Sequence, residues 1–224
     1  MIIVQTPLRV SFFGGGTDFP SYFLENGGCV LTTAIDKYVF VTIKQRFDEL
    51  IRIGYTKTEI VEDVDQIQHE LIREAFRITG MRPGVEITTM GDIPAGTGLG
   101  SSSTVTVGVL HAMYAFQNKF IHPRELAQQA CQIEIDILKK PIGYQDQYIA
   151  ALGDFRLIEF GQKGQIDSQV IELDPSIKQR LNENLLLFYT GQKRAAASIL
   201  TEQQENIQNK LPILGELKEM AFSA

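Results

Sequence analysis

Pro94–Ser103 reads P-A-G-T-G-L-G-S-S-S, and the meaning of this stretch decides the rest of the chain. Gly96, Gly98 and Gly100 have no Cβ, so the backbone can turn through positive φ and a ligand can approach it closely. Ser101, Ser102 and Ser103 add hydroxyl donors. The residues that follow, Thr104–Phe116, carry Val105, Val109, Ala112 and Phe116 at helical spacing. The free amides of that helix's first turn then point back at the loop. A glycine loop running into a helix start is an anion site by geometry and by dipole. The alternative is a turn closed by a serine cap, which needs one hydroxyl rather than three glycines and three serines. The stretch lacks the G-K-[ST] ending of a Walker A loop and is not a G-x-G-x-x-G after a strand, which argues against P-loop and dinucleotide folds.

Working outward, Gly84–Met90 is predicted as a strand before the loop. Arg124–Leu138 is predicted as a helix opened by Pro123, Gly143–Leu152 as a short helix and Arg156–Phe160 as a strand. Ile2–Thr6 is a short β-branched run. Val30–Arg46 is a strand pair or one long bent strand with a break at Asp36–Lys37, and Gln66–Ile78 has helical spacing. A second region starts near Asn184, with an apolar strand at Leu185–Thr190 and helices at Lys193–Asn209 and Pro212–Phe222. The last helix carries Ile213, Leu214, Leu217, Met220 and Ala221, an apolar face with no later residues to cover it. Strands with intervening helices but no strict βαβ alternation predict an α+β fold.

The 224 residues are 44% hydrophobic and carry a formal net charge of −6, a globular composition with no general attraction for nucleic acid or an anionic membrane. An anion must therefore be held by a local site. Two cysteines, Cys29 and Cys131, make no disulfide framework, in keeping with a reducing cytoplasm. No signal peptide and no membrane-length apolar run is expected.

Two acids stand out. Glu134 shares a helix face with Ala127, Ala130, Cys131 and Leu138 and has no basic residue three or four positions away. An unpaired carboxylate on an apolar stripe needs a partner, a metal or a distant polar group. Asp146 lies between two glutamines near a helix start, where acids are common. His69, His111 and His122 show no metal-like clustering.

P-x-x-x-G-L-G-S-S-S resembles the second signature motif of the GHMP kinases. Arg9–Asp18, R-V-S-F-F-G-G-G-T-D, is similar to their first motif in the form used by sugar kinases near D-glycero-D-manno-heptose 7-phosphate kinase, and Gly143–Tyr148, G-Y-Q-D-Q-Y, also resembles that subgroup. The resemblance implies a ribosomal-protein-like N-terminal domain over residues 1–183 and the start of a ferredoxin-like C-terminal domain over 184–224. It implies ATP and Mg2+ as cofactors, with Pro94, Gly96, Gly98, Leu99, Gly100, Ser101, Ser102 and Ser103 on the nucleotide and Ser102 and Glu134 on the metal.

The same resemblance puts Asp146 on the accepting hydroxyl and makes Gly15, Gly16, Thr17 and Asp18 sugar-site candidates. Arg9 either neutralises the transferring phosphoryl group or has a salt-paired role, and Lys193 and Arg194 either hold a substrate phosphate or are solvated charges. The implied reaction is phosphorylation of the anomeric hydroxyl of a sugar phosphate, D-glycero-D-manno-heptose 7-phosphate to its 1,7-bisphosphate. The alternatives are a fucose-type or other sugar 1-kinase, or a non-catalytic nucleotide- or sugar-binding module. The third, glycine-rich motif has no counterpart after Gly191, where Gly215 stands alone. On this resemblance the chain corresponds to a kinase lacking most of its C-terminal domain, with helices left to pair in a homo-oligomer.

Overall fold

The computed structural model describes residues 1–191 and 196–224, and the side chains of all of these except 196–199. The chain opens with β1 (Ile2–Phe13), α1 (Pro20–Asn26) and β2 (Gly28–Gln45). β1 runs well past the expected Thr6, because its second half pairs with the start of β2. Strand β2 is continuous, and the expected break at Asp36–Lys37 is a bulge. The register passes from Pro7–Tyr38 to Arg9–Ala34, so Ile35–Lys37 lie opposite Leu8 alone. This bulge falls beside Arg9, the first residue of the R-V-S-F-F-G-G-G-T-D motif.

Two short strands missing from the sequence reading follow, β3 (Ile51–Gly54) and β4 (Thr58–Val61), then α2 (Glu70–Thr79) and β5 (Val85–Gly91). The remaining elements of this body are α3 (Ser101–Phe116), α4 (Pro123–Cys131), α5 (Gln145–Leu152), β6 (Phe155–Phe160) and β7 (Ile166–Val170). Helix α4 continues as a π-helical stretch, Gln132–Ile137. The second half of β2 pairs with β5 and its first half with β6, in a mixed sheet where only β3 and β5 run parallel. The main core lies between this sheet and helices α2, α3 and α4, around Val41, Ile43, Ile53, Ile87, Phe76, Leu110 and Met113. Gly108 lets α3 lie close on the sheet, since a Cβ there would meet Thr6 Oγ1 at 2.8 Å.

After β7 come α6 (Pro175–Glu183), α7 (Ala196–Glu205) and α8 (Leu211–Ser223). Two expectations are corrected here. Leu185–Thr190 forms no strand: Leu185–Tyr189 are 49–80% exposed and pair with no other strand, so strand propensity finds no ladder. The apolar face of α8 is not left bare. Leu214 joins Ile207 against Phe19 and Tyr22, and Ala221 packs on Cys29 and Leu31. Phe19, α1 and β2 thus cover part of this face in cis, while Ile213, Met220 and Phe222 stay exposed. Among the described residues no helix is long and apolar enough to cross a membrane.

Candidate active site

The loop before α3 takes the left-handed turns its glycines allow, with φ of +81° at Gly96 and +77° at both Gly98 and Gly100. Gly100, not a serine, is the N-cap, and Ser101–Ser103 form the first turn of α3 rather than part of the loop. The first intrahelical amide bond comes from Thr104 N to Gly100 O, 3.0 Å, which leaves the three serine amides turned toward the loop. Pro94 and Gly98 are exposed, whereas the Leu99 side chain packs on the core and anchors the loop. Thr97 Oγ1 donates to Pro94 O at 3.2 Å, closing the turn. The result is a run of backbone donors at a helix N-terminus, suited to phosphate oxygens.

Arg9 ties this loop to α5. Its Nε and Nη2 donate to the two Asp146 oxygens at 2.7 and 2.9 Å, and its Nη1 donates to Gly98 O at 2.6 Å. Its amide donates to Leu99 O at 3.2 Å. A Cβ on Gly100 would lie 3.3 Å from both Arg9 Cγ and Asp146 Oδ2, so loop, guanidinium and carboxylate share one small volume. Burial works against the Arg9 charge, but the adjacent Asp146 more than offsets it and the guanidinium pKa rises. Arg9 is thus salt-paired with Asp146, and each Asp146 oxygen keeps a lone pair for a further donor.

Glu134 sits in the π-helical stretch with its carboxylate on the first turn of α3. Ser103 Oγ donates to Glu134 Oε2 at 3.2 Å and Ser102 Oγ at 3.4 Å, while Oε1 is buried without a partner. Burial pushes its pKa up to about 7, against the pull of Lys140 and the hydroxyls around it. A buried carboxylate with an orphaned oxygen beside two hydroxyls and a phosphate-type loop fits a hard divalent cation. Such an ion takes few protein ligands and shares the rest with phosphate and water.

The first motif is corrected in part. Thr17 is fully buried and its hydroxyl is spent inside the protein: it lies 2.8 Å from Gly14 O and 3.0 Å from Cys29 O, and accepts from Cys29 N at 3.1 Å. Nothing is left for a sugar. Gly16 is buried under Gln203 and Leu214. Asp18 is 1% exposed, and its oxygens accept from Gly16 N at 3.0 Å and Gln145 N at 3.1 Å. It braces the motif against α5 rather than facing solvent, and burial raises its pKa despite those amides. Only Gly15 of this group is partly open. Lys193 and Arg194 lie outside the described residues.

Sequence reasoning passed over Gln145 and Gln147, both buried around Asp146. Gln147, with its amide turned to donate to Gly143 O and Tyr144 O, sets its Oε1 3.1 Å from Ser103 Oγ, where it shares the one hydroxyl hydrogen with Glu134 and so links α5 to α3. Their sequence signals were their place on either side of Asp146 and their membership of the G-Y-Q-D-Q-Y stretch.

With this geometry in hand, residues 60–154 match the family model described as GHMP kinases N terminal domain. The chain is 31% identical to the D-glycero-alpha-D-manno-heptose 7-phosphate kinase of Campylobacter jejuni, over 88% of this chain and 62% of that protein. It is 28% identical to the L-fucokinase/L-fucose-1-P guanylyltransferase of Bacteroides fragilis, over 97% of this chain and 27% of that protein. It therefore spans less than two thirds of either. Among solved structures, a D-glycero-D-manno-heptose 1-phosphate kinase from Bacteroides thetaiotaomicron superposes with a TM-score of 0.80 at 26% identity. That match covers 99% of this chain and 76% of that one.

Proposed function

We propose, from the premise that this chain carries a GHMP kinase N-terminal domain, that it transfers the γ-phosphoryl group of ATP to a hydroxyl of a sugar or sugar phosphate. The observation that carries this reading is the Arg9 bridge, which sets a phosphate-type loop and the Asp146 carboxylate side by side. The serine amides and the glycine loop hold the nucleotide phosphates. Asp146 accepts a hydrogen bond from the attacking hydroxyl, fixes its direction and takes its proton as the new ester bond forms. Arg9 holds Asp146 in that pose and keeps the loop carbonyl at Gly98 turned away from the phosphates. Magnesium, when bound by Glu134 and Ser102, supplies positive charge to the phosphates.

The acceptor we propose is D-glycero-D-manno-heptose 7-phosphate at its anomeric hydroxyl, in the cytoplasm. The relatives' names support a heptose phosphate and differ on where its phosphate sits. A fucose-type sugar is the second reading, favoured by the fucokinase relative. Residues 184–224 are then the beginning of the C-terminal domain. The test is ADP formation over heptose 7-phosphate, heptose 1-phosphate, L-fucose and D-galactose, with Asp146→Asn as control. The variant should lose about 10^3-fold in kcat while its nucleotide-induced thermal shift persists. Nucleotide binding with no turnover on any sugar would favour a non-catalytic module instead.

A further inference from the structure

Three buried side-chain atoms among the described residues find no hydrogen-bond partner: His69 Nδ1, Glu134 Oε1 and Gln145 Oε1. His69 stacks edge-on against Tyr55, far along the chain from the loop, and Glu134 faces the cation position. Gln145 remains. It is 8% exposed and opens α5, immediately before Asp146. Its backbone amide is spent on Asp18 Oδ2, and its side-chain nitrogen lies 3.9 Å from where a Cβ on Gly15 would be. Gly15 is the one partly open residue of the glycine turn, and Gln203 of α7 closes the turn's other side over Gly16. Gln145 Oε1 is held dry and unpaired in the residue that precedes Asp146, and a buried acceptor is costly until a donor is supplied.

We infer that Gln145 is a specificity-determining residue whose Oε1 accepts a hydrogen bond from the sugar hydroxyl vicinal to the one held by Asp146. The inference rests on the kinase reading of the same site. For an anomeric acceptor the vicinal group is the 2-hydroxyl. Asp18 is the positioning residue behind it, since its carboxylate fixes the Gln145 backbone. Asp146 then selects the reacting oxygen, and Gln145 selects the sugar by the presence of its neighbour. A site built around a buried acceptor rejects an analogue lacking the donor, because the acceptor is left unpaired.

The probes are D-glycero-D-manno-heptose 7-phosphate and its 2-deoxy analogue, titrated calorimetrically into the full chain with a non-hydrolysable ATP analogue present. The wild-type chain should bind the 2-deoxy sugar at least about tenfold more weakly. Gln145→Met, of equal length without the acceptor, should bring the two affinities within about twofold by weakening the parent sugar, with the affinity for the ATP analogue unchanged. Gln145→Asn, which withdraws the oxygen by one methylene, should do the same and serves if the first variant loses its nucleotide-induced thermal shift. Equal wild-type affinity for the two sugars, affinity for neither, or undiminished discrimination in both variants overturns the inference. Turnover is scored separately. Discrimination in binding without ADP formation upholds Gln145 and sinks the kinase reading, whereas ADP formation at equal rates from both sugars does the reverse.

Discussion

Residues 1–171 and residues 172–224 bury apolar surface on very different scales. The first region packs a sheet against α2–α5 around two core clusters, and every described side chain of the proposed phosphate and hydroxyl site belongs to it. In the second, the described residues that are fully buried are Ile207, Leu214 and Ala221; each packs on the first region, and Ile207 and Leu214 pack also on each other and on Leu200, Leu211 and Leu217. Helix α6 buries no residue. The close placement that the proposed phosphoryl transfer demands comes from the region whose rotamers are locked by packing. The later segment contributes by leaning on the first motif, and its order is borrowed from Phe19, Tyr22, Cys29 and Leu31.

This contrast can be broken by measurement. The largest effect belongs to the body: Phe76→Ala, at a 1% exposed position, should cost about 3–5 kcal/mol in chemical denaturation. Next comes a pH effect confined to the site. Glu134, pushed up to about 7 by burial, keeps its proton in the folded chain at pH values where the unfolded chain has lost it. The folded state therefore binds more protons between roughly pH 4.3 and 7, so stability falls as pH rises through that window, by on the order of 3 kcal/mol in all. Glu134→Gln should flatten that slope in urea titrations, and a slope unchanged in the variant would remove Glu134 as its source.

Smaller still, Leu214→Ala should cost about 2 kcal/mol, the low end for leucine truncation, since its cluster is a surface satellite. A cost equal to that of Phe76→Ala would mean that the two regions share one core. Leu186→Asp, at an 80% exposed position, should change stability by no more than about 0.5 kcal/mol.

Much of the site was legible because its signals are local. Three glycines and three serines before an apolar run of helical spacing point to an anion-binding loop. Glu134 on an apolar stripe and Asp146 at a helix start were visible for the same reason. What stayed hidden depends on tertiary pairing. Arg9 and Asp146 lie 137 residues apart, and neither carries a local mark of the other. Strands β3, β4 and β7 have four or five residues each and exist through their ladders rather than their propensity. Leu185–Thr190 shows the converse error, high propensity with no ladder to join. Thr17 looked available because a threonine beside glycines gives no hint that a strand carbonyl and amide at Cys29 will consume its hydroxyl.

The long β2 strand also sets an order of events. It can zip against β1 as soon as residue 45 has been made, but its first half gains its second neighbour only when Phe155–Phe160 arrive. Such closure across more than half the chain is entropically costly and slow relative to local zipping. Asp146 reaches Arg9 from the helix just before that late strand. During synthesis, then, the glycine loop is translated before the helix that carries Asp146, and the Arg9–Asp146 pairing has to wait for α5.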